Sequence, residues 1–184
     1  MSELPNHLGG HSNRTHLDLK NLKYLQDKYK IHTMVDIGCG PGGMVKEANS
    51  MGIESCGIDG DFTLDFSDIS VTLNDFTKSS YRFEKNFDLA WSVEFVEHVE
   101  EKYIPNFMPV FQQAKYVFMT YSPFENFFHY NVKDSAYWIK TFEDYGFKHD
   151  EEETRFIRQN SSMKRNFVRD CGHFFINEGE GWNV

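Results

Sequence analysis

Four glycines fall within six consecutive residues, at positions 38–43, and this run constrains the fold more than any other part of the chain. It reads Gly-Cys-Gly-Pro-Gly-Gly. The mostly apolar residues 33–37 before it predict a short strand, and residues 43–48 after it predict the start of a helix. Glycines allow a tight turn and a close backbone approach to a ligand, and a helix N-terminus favours an anionic group. The segment therefore predicts a ligand-binding turn between a strand and a helix, with a plain strand-to-helix turn as the alternative.

An acidic residue ends the next predicted strand, residues 55–59. Asp59 follows Gly38 by 59 − 38 = 21 residues. A carboxylate at that place can accept hydrogen bonds from both hydroxyls of an adenosine ribose. These features alone do not distinguish a nicotinamide-binding Rossmann domain from other α/β domains that bind adenosine. Asp36, two residues before the first glycine, distinguishes these classes of domain through the resemblance that residues 35–42 carry.

Predicted strands and helices alternate along the rest of the chain. Further strands are predicted at residues 70–75, 87–92 and 115–120, near Phe147 and at 173–177; helices are predicted at about 15–30, 134–145 and 162–170. This alternation predicts a largely parallel, doubly wound sheet. We expect one domain over residues 1–184, with residues 1–16 as an irregular N-terminal arm.

Residues 35–42 resemble the first motif of the class I S-adenosylmethionine-dependent methyltransferases. Gly57-Ile58-Asp59 resembles the second motif, Asn74-Asp75-Phe76 the third, and residues 87–92 the fourth strand, which in that family ends beside the reactive methyl group. The resemblance covers roughly residues 30–120. It implies an α/β, Rossmann-like, doubly wound seven-stranded sheet in the order 3-2-1-4-5-7-6, with strand 7 antiparallel and helices on both faces.

The resemblance also implies roles for individual residues. Asp36 would orient the glycine loop and the amino group of the cofactor, and Asp59 would hold the ribose. Asp75 would reach the adenine and Phe76 would pack on its ring; for Asp75 a simple turn carboxylate is the alternative. The residues expected to contact S-adenosylmethionine are Asp36, Gly38, Cys39, Gly40, Gly42, Asp59, Gly60, Asp75, Phe76 and Ser92.

A segment rich in acidic residues follows the fourth predicted strand. If it is helical, Glu94, Glu97, His98 and Glu101 share one face. His98 could then act as a general base, oriented by a glutamate, or these side chains could ligate a divalent cation that lowers the pKa of a hydroxyl group. The third interpretation is a solvated acidic helix face.

This segment is similar to the E-x-x-E-H-V segment of ubiquinone-biosynthesis O-methyltransferases and to the metal-binding segment of small-RNA 3′-terminal 2′-O-methyltransferases. Both resemblances imply a divalent metal, Mg²⁺ or Mn²⁺. In the RNA enzymes a further histidine lies downstream, for which His129 is the candidate here. The predicted metal ligands are Glu94, Glu97, His98 and His129, and the predicted catalytic residues are His98 and Glu94; taken alone, His129 also fits an ordinary loop residue.

Composition excludes several classes of protein. The net charge of −9 argues against a protein that binds a DNA duplex across its surface. No stretch approaches the roughly 20 apolar residues of a membrane span, and the N-terminus lacks the order of a signal peptide. Three cysteines without a CxxC pair indicate reduced thiols and a cytoplasmic location.

Two further segments carry open alternatives. The N-terminal arm holds His11 and Arg14, which either contact the methionine carboxylate or are solvated. Basic residues between Arg155 and Arg169 either contact phosphates or form a solvated helix face. Together, the arm and the Glu-rich segment resemble short methyltransferase-like proteins encoded by bacteriophages.

The expected activity is methylation of a small-molecule hydroxyl or amine with S-adenosylmethionine, with or without metal assistance. The alternatives are methylation of an RNA 3′ end and a non-catalytic protein that binds S-adenosylmethionine. A dehydrogenase ranks last, because it would leave the third and fourth motifs unexplained. The acceptor and the oligomeric state are left open by the sequence.

Overall fold

The computed structural model describes residues 5–8 and 10–179, and within them a seven-stranded sheet organises the fold. The strands are β1 (Thr33–Ile37), β2 (Glu54–Asp59), β3 (Val71–Leu73), β4 (Phe87–Ser92), β5 (Ala114–Thr120), β6 (Phe147–His149) and β7 (Gly172–Asn177). Their order is β3-β2-β1-β4-β5-β7-β6. Strands β1 to β5 pair in parallel, and β7 runs antiparallel to β5 and β6. This confirms the predicted fold class.

Helices cover both faces of the sheet. They are α1 (Leu19–Tyr29), α2 (Gly43–Ser50), α3 (Ile104–Phe111), α4 (Ser135–Asp144), α5 (Glu151–Asn160) and α6 (Phe167–Cys171). Apolar side chains of α3 and α4 fill the core on one face, and those of α1, α2, α5 and α6 fill the core on the other. Because the central strands are buried on both faces, they are nearly continuous apolar runs.

Two predicted helices differ from the structure. Helix α1 begins after Asp18, whose carboxylate accepts a hydrogen bond from the backbone N–H of Asn21 and so acts as the N-cap. Thr15, where the helix was expected to begin, instead accepts a hydrogen bond from the backbone N–H of Gly43 in the glycine loop. The helix predicted at 162–170 is present only in its second half, as α6 at Phe167–Cys171, and the longer helix α5 at Glu151–Asn160 was not predicted. The acidic residues 150–153 cap and begin α5, where they complement the helix dipole.

The segment before the sheet packs as an extended arm. Its described residues contain a 3-10 turn at Asn6–Leu8 and no longer helix or strand before α1. Residues 1–4 and 9 of the predicted arm lie outside the described residues. In the described part of the chain, no helix has the length and apolar character required to cross a membrane.

Candidate active site

The carboxyl ends of β1, β2 and β4 open into a cleft, which is where open α/β sheets bind ligands. Its main cavity has a volume of about 350 Å³. Asp36 and the glycine loop line one side, Glu94 and His98 line another, and the arm and the loop after β5 close it. A smaller cavity of about 60 Å³ continues toward the ends of β2 and β3. The cleft therefore brings most of the residues predicted to bind the cofactor close to three of the four predicted metal ligands, Glu94, His98 and His129.

The glycine loop is fixed by the carboxylate at the end of β2. The backbone N–H of Gly40 donates to Oδ2 of Asp59 at 2.7 Å, and the N–H of Asp61 donates to Oδ1 at 2.8 Å. Gly40 and Gly42 have φ values of 50° and 74°, in the left-handed region that favours glycine. Burial raises the pKa of Asp59 despite these two hydrogen bonds. Each carboxylate oxygen keeps further acceptor capacity toward the cleft.

Asp36 supplies a carboxyl group to the main cavity, whereas Asp59 lines the smaller one. Asp36 is buried on β1, and burial together with the neighbouring Asp59 carboxylate raises its pKa to about 8. A nearby cation would favour the charged form of such a group. This arrangement is complementary to a ligand that carries a positive charge.

Asp75 and Phe76, which follow β3, line the smaller cavity together with Asp59 and Gly60. The carboxylate of Asp75 accepts hydrogen bonds from the backbone and hydroxyl of Thr77, at 2.9 and 2.7 Å, and lies 3.1 Å from Nε2 of His7. Burial opposes ionisation, but these hydrogen bonds lower the pKa of Asp75. Phe76 is buried, so only part of its ring reaches the cavity.

Two of the predicted cofactor contacts have other packing partners. Ser92 is fully buried, does not line either cavity and donates to the carbonyl of Ile37 at 2.9 Å. It therefore joins β4 to β1 and does not face the cleft. Cys39 lines the main cavity, but its side chain also packs against β2, where a Cβ on Gly57 would lie 2.5 Å from Sγ.

The arm closes the cleft through contacts that sequence reasoning missed. Nε2 of His11 lies 2.9 Å from Oδ2 of Asp61, a buried carboxylate two residues after Asp59. Oγ1 of Thr15 accepts from the backbone N–H of Gly43 at 3.0 Å. The second acid in Gly-Ile-Asp-Gly-Asp was a visible signal, but its histidine partner comes from 50 residues away. Arg14, a predicted ligand contact, also lines the main cavity.

The Glu-rich segment is not the predicted helix. It forms two 3-10 turns, Val96–His98 and Glu101–Tyr103. Glu94 has a left-handed φ of 54°, and its N–H donates to Oγ1 of Thr120. The carbonyl of Glu97 accepts from the backbone N–H groups of Tyr130 and Asn131, at 2.8 and 2.9 Å, in place of a helical partner. The loop after β5 thus occupies a backbone carbonyl that an α-helix would need for its own hydrogen bonds.

These turns bring together three of the four predicted metal ligands. Potential ligand atoms of Glu97, His98 and His129 all lie within 4.8 Å of one another. Nδ1 of His98 lies 3.0 Å from the carbonyl of Phe128, and Nδ1 of His129 lies 2.8 Å from that of Phe124. Because a carbonyl only accepts, Nδ1 is the donor in each ring, and Nε2 is the nitrogen left to bind a metal. Histidines that bind metals are typically held in this way.

The carboxylate of Glu97 fits a metal ligand for a second reason. Its side chain is fully buried, and neither oxygen has a hydrogen-bond partner among the described residues. Burial and then the Glu94 carboxylate raise its pKa well above the usual range. Glu94 lies outside the group of three; its Oε1 accepts from the hydroxyl of Thr120 at 3.0 Å, and burial raises its pKa to about 7.

His98 is neutral at physiological pH. Burial and then the nearby His129 lower its pKa to about 4. The ring planes of the two histidines are nearly perpendicular, with centroids 4.9 Å apart. A histidine with so low a pKa is a weak base, whereas its neutral ring is the form that binds metals.

The basic stretch near the C-terminus divides into two groups. Arg155 pairs with Glu151, Arg158 donates to the carbonyl of Gly172, and Arg169 donates to backbone carbonyls of the α5–α6 connection. Lys164 and Arg165 instead line a second large cavity beside the cleft. The prediction of one solvated helix face is therefore wrong for the stretch as a whole.

The strand order, the glycine loop and the cleft define the Rossmann-like methyltransferase fold. No family model matches the chain, and no curated protein sequence matches it significantly. Solved structures do match. A SAM-dependent methyltransferase from Archaeoglobus fulgidus is 15% identical, with 88% of this chain and 92% of that chain covered and a TM-score of 0.56.

Two further solved methyltransferases are similar over most of the chain. The methyltransferase domain of bacterial CtHen1-C is 17% identical, with 88% of this chain and 97% of that chain covered and a TM-score of 0.57. The plantazolicin methyltransferase BpumL, solved in complex with SAH, is 12% identical, with 87% and 82% covered and a TM-score of 0.58. At sequence identities this low, the structural matches establish the fold and nothing further.

Proposed function

We propose that this chain is an S-adenosylmethionine-dependent methyltransferase that transfers a methyl group to a hydroxyl of a small molecule with help from a divalent metal. The single observation that carries the proposal is the position of the Glu97, His98 and His129 group. His98 and His129 line the main cavity together with the glycine loop, and the buried Glu97 has a potential ligand atom within 4.8 Å of theirs.

The residues around the main and smaller cavities fit the cofactor. Asp59 would accept hydrogen bonds from the ribose hydroxyls, and Asp36 would face the amino group of the methionine part. The loop at 38–42 would lie along the methionine part, while Asp75 and Phe76 would border the adenine. When bound, S-adenosylmethionine supplies an electrophilic methyl group.

The group of three supports metal assistance better than a metal-free base. Its buried carboxylate lacks donors among the described residues, and its two imidazoles present free Nε2 atoms. A bound Mg²⁺ or Mn²⁺ would lower the pKa of an acceptor hydroxyl. Glu97, His98 and His129 would hold the ion and orient the acceptor. Glu94, whose side chain lines the adjoining cavities, is our candidate to receive the hydroxyl proton.

Methylation of an RNA 3′ end is the second candidate. The observation that favours it is the pair Lys164 and Arg165, which lines a cavity next to Glu94. Because the chain as a whole is acidic, we expect it to contact RNA phosphates only near the 3′ end of the RNA. Transfer of labelled methyl groups to a short RNA and to a panel of phenols and catechols, each with Mn²⁺, would separate the two candidates.

Calorimetric titration with S-adenosylhomocysteine tests the cofactor. We expect micromolar binding by the wild type and its loss in Asp59→Ala, since the loop and the ribose depend on the same carboxylate. Asp59→Asn, which keeps the size of the side chain, checks that a loss is not due to unfolding. Asp68→Ala changes an exposed aspartate and should bind normally. Absence of binding by folded wild-type protein would exclude the proposal.

Thermal unfolding with Mn²⁺ tests the metal. At 100 times Kd, binding should stabilise the wild type by about 2.7 kcal/mol, a shift of several degrees in Tm. The double variant Glu97→Gln with His98→Ala should lose this shift, while His32→Ala, which changes an exposed histidine, should retain it. If the wild type binds S-adenosylhomocysteine but its Tm does not change with Mn²⁺ or Mg²⁺, the metal is excluded. The remaining interpretations are then a metal-free enzyme and a non-catalytic binding protein.

A further inference from the structure

A second large cavity adjoins the cleft on the side away from Asp59. Its volume is about 360 Å³, and it shares Glu94, Ser122, Phe124 and Phe167 with the main cavity. It therefore opens toward the place where the methyl group would be transferred. A compound seated there could present a hydroxyl to the group of Glu97, His98 and His129.

Three cations around the two cavities form no ion pair among the described residues. Arg14, Lys164 and Arg165 are exposed, and within residues 5–8 and 10–179 they form neither an ion pair nor a hydrogen bond through their side chains. Other basic residues of the same stretch, such as Arg155 and Arg169, are bonded to the protein. Their position at one entrance concentrates positive charge locally in a chain whose net charge is −9.

The cations come from two distant segments that meet at His16. Burial lowers the pKa of His16, and the positive charges of Arg165 and Arg14 lower it further, so both guanidinium groups act on the same ring. The ring of His16 also contacts that of Phe167, with centroids 4.9 Å apart. Gathering like charges is unfavourable unless an anion compensates them. Four carboxyl groups also line these cavities, and none of them forms an ion pair with the three cations in the described part of the chain: Asp36, Glu94, Glu125 and Asp170.

The same cavity offers flat apolar surface. Phe124 is 71% exposed, and Tyr121 and Phe167 lie along the wall beside it. An exposed aromatic ring next to a positive charge can hold a planar group by stacking while its anionic substituent pairs with the cation.

We infer that this second cavity is the acceptor subsite and that it takes a planar hydroxyl compound bearing an anionic group, a phosphate ester or a carboxylate. Lys164 and Arg165 bind the anion, Phe124 borders the ring, and Arg14 adds positive charge at the entrance. The assignment of this compound as the methyl acceptor rests on the proposed function. The anion subsite itself rests only on the unpaired cations and the cavity.

Three probes with the same ring test the inference: phenyl phosphate, benzoate and phenol. Each is titrated into the full-length protein, and the backbone amide signals of residues 164–167 are followed by NMR. We expect phenyl phosphate or benzoate to bind at least about tenfold more tightly than phenol, with affinity that falls as salt rises. Tighter binding of phenyl phosphate would identify a phosphate ester as the natural group, and tighter binding of benzoate would identify a carboxylate.

The variant Lys164→Met with Arg165→Met should weaken anion binding about tenfold and leave phenol unchanged. Arg155→Met, on the helix just before, is the matched control and should change nothing. Equal binding of phenol and the anions, or full anion binding by the double variant, would overturn the inference. Titration of the same proteins with S-adenosylhomocysteine keeps the two questions apart. If the wild type fails to bind it but still prefers anions through Lys164 and Arg165, the subsite stands and the proposed function fails.

Discussion

The acidic residues at the ends of β2 and β3 and those after β4 surround one cleft but have different environments. Asp59, Asp61 and Asp75 each accept at least two hydrogen bonds from nearby backbone or hydroxyl groups. Glu97 is as deeply buried and accepts none among the described residues. Buried polar atoms in proteins are normally satisfied. The carboxylates of the first region are thus largely paired within the fold, whereas the buried Glu97 carboxyl lies beside that of Glu94 and is the group that an external cation would compensate.

This contrast separates two uses of buried charge. On the β2 side the carboxylates stabilise the loops that shape the cleft, so stability and ligand binding depend on the same atoms. On the β4 side the carboxylate lowers stability until a ligand compensates it. The two regions should therefore respond in opposite directions when their carboxylates are removed.

The largest effect is expected for Asp59→Ala in the absence of ligand. The substitution leaves the N–H groups of Gly40 and Asp61 without their acceptor, which costs about 1–3 kcal/mol for each buried group. We expect the free energy of unfolding, measured with urea, to fall by about 2–4 kcal/mol. Asp68→Ala, at an exposed position, should change it by less than about 0.5 kcal/mol. A similarly small loss in Asp59→Ala would mean that the loop does not depend on this carboxylate.

The sheet was predictable because its signal is local. Strands β1 and β4 begin and end where the apolar runs do, and the glycine run at 38–43 marks the turn between β1 and α2. Helix α5 was missed because its first turn consists of acidic residues, which resemble a solvated charge run. Its N-cap, Asp150, becomes evident only in the structure, where its side chain accepts a hydrogen bond from the backbone N–H of Glu153.

The site was predictable in composition and not in geometry. The spacing of Glu94, Glu97 and His98 fits an α-helix as well as it fits the 3-10 turn that forms. What prevents the helix is non-local, because the carbonyl of Glu97 is paired with the loop after β5. The same contact carries His129 toward His98. Such pairings between segments about thirty residues apart leave no local pattern in the chain.

A buried histidine on β7 extends the comparison to a second satisfied network. Nδ1 of His173 lies 3.0 Å from Nε2 of His149, and its Nε2 lies 3.0 Å from Oγ of Ser135. Burial first, and then the positive charge of Arg158, lower the pKa of His173 to about 3. The folded state thus keeps His173 neutral, while the unfolded chain binds a proton below about pH 6.5.

The predicted consequence is a loss of stability in acid. His173 contributes fully above about pH 6.5, and its contribution falls by about 1.4 kcal/mol per pH unit below that, down to about pH 3. Between about pH 7.5 and about pH 5.0 the wild type should therefore lose about 2 kcal/mol more than His173→Gln. Urea unfolding at both pH values measures the difference, and His32→Gln controls for an exposed histidine. Equal acid losses in wild type and His173→Gln would show that another group carries the pH dependence.

The smallest effect is the most informative about the β4 side. Glu97→Met replaces a buried carboxyl group, which has no hydrogen-bond partner among the described residues, by an adaptable apolar side chain. It also removes the electrostatic cost that Glu94 and Glu97 impose on each other. In EDTA we expect the variant to be about 1 kcal/mol more stable than the wild type, although metal binding is lost. Urea unfolding with EDTA and with Mn²⁺ gives both values.

The sign of this change decides between two explanations of Glu97. A gain of stability in EDTA, combined with the loss of any Mn²⁺ effect, means that the chain keeps an unfavourable carboxylate for the sake of a ligand. A loss of more than about 1 kcal/mol would mean that Glu97 has a structural partner in solution, as Asp59 has on the β2 side. Glu97→Gln keeps the shape and the polar atoms, so its stability in EDTA should stay close to that of the wild type. The contrast between the two strand ends therefore requires two results. In EDTA, Glu97→Met should be more stable than both Glu97→Gln and the wild type. In Mn²⁺, the wild type should be the most stable of the three.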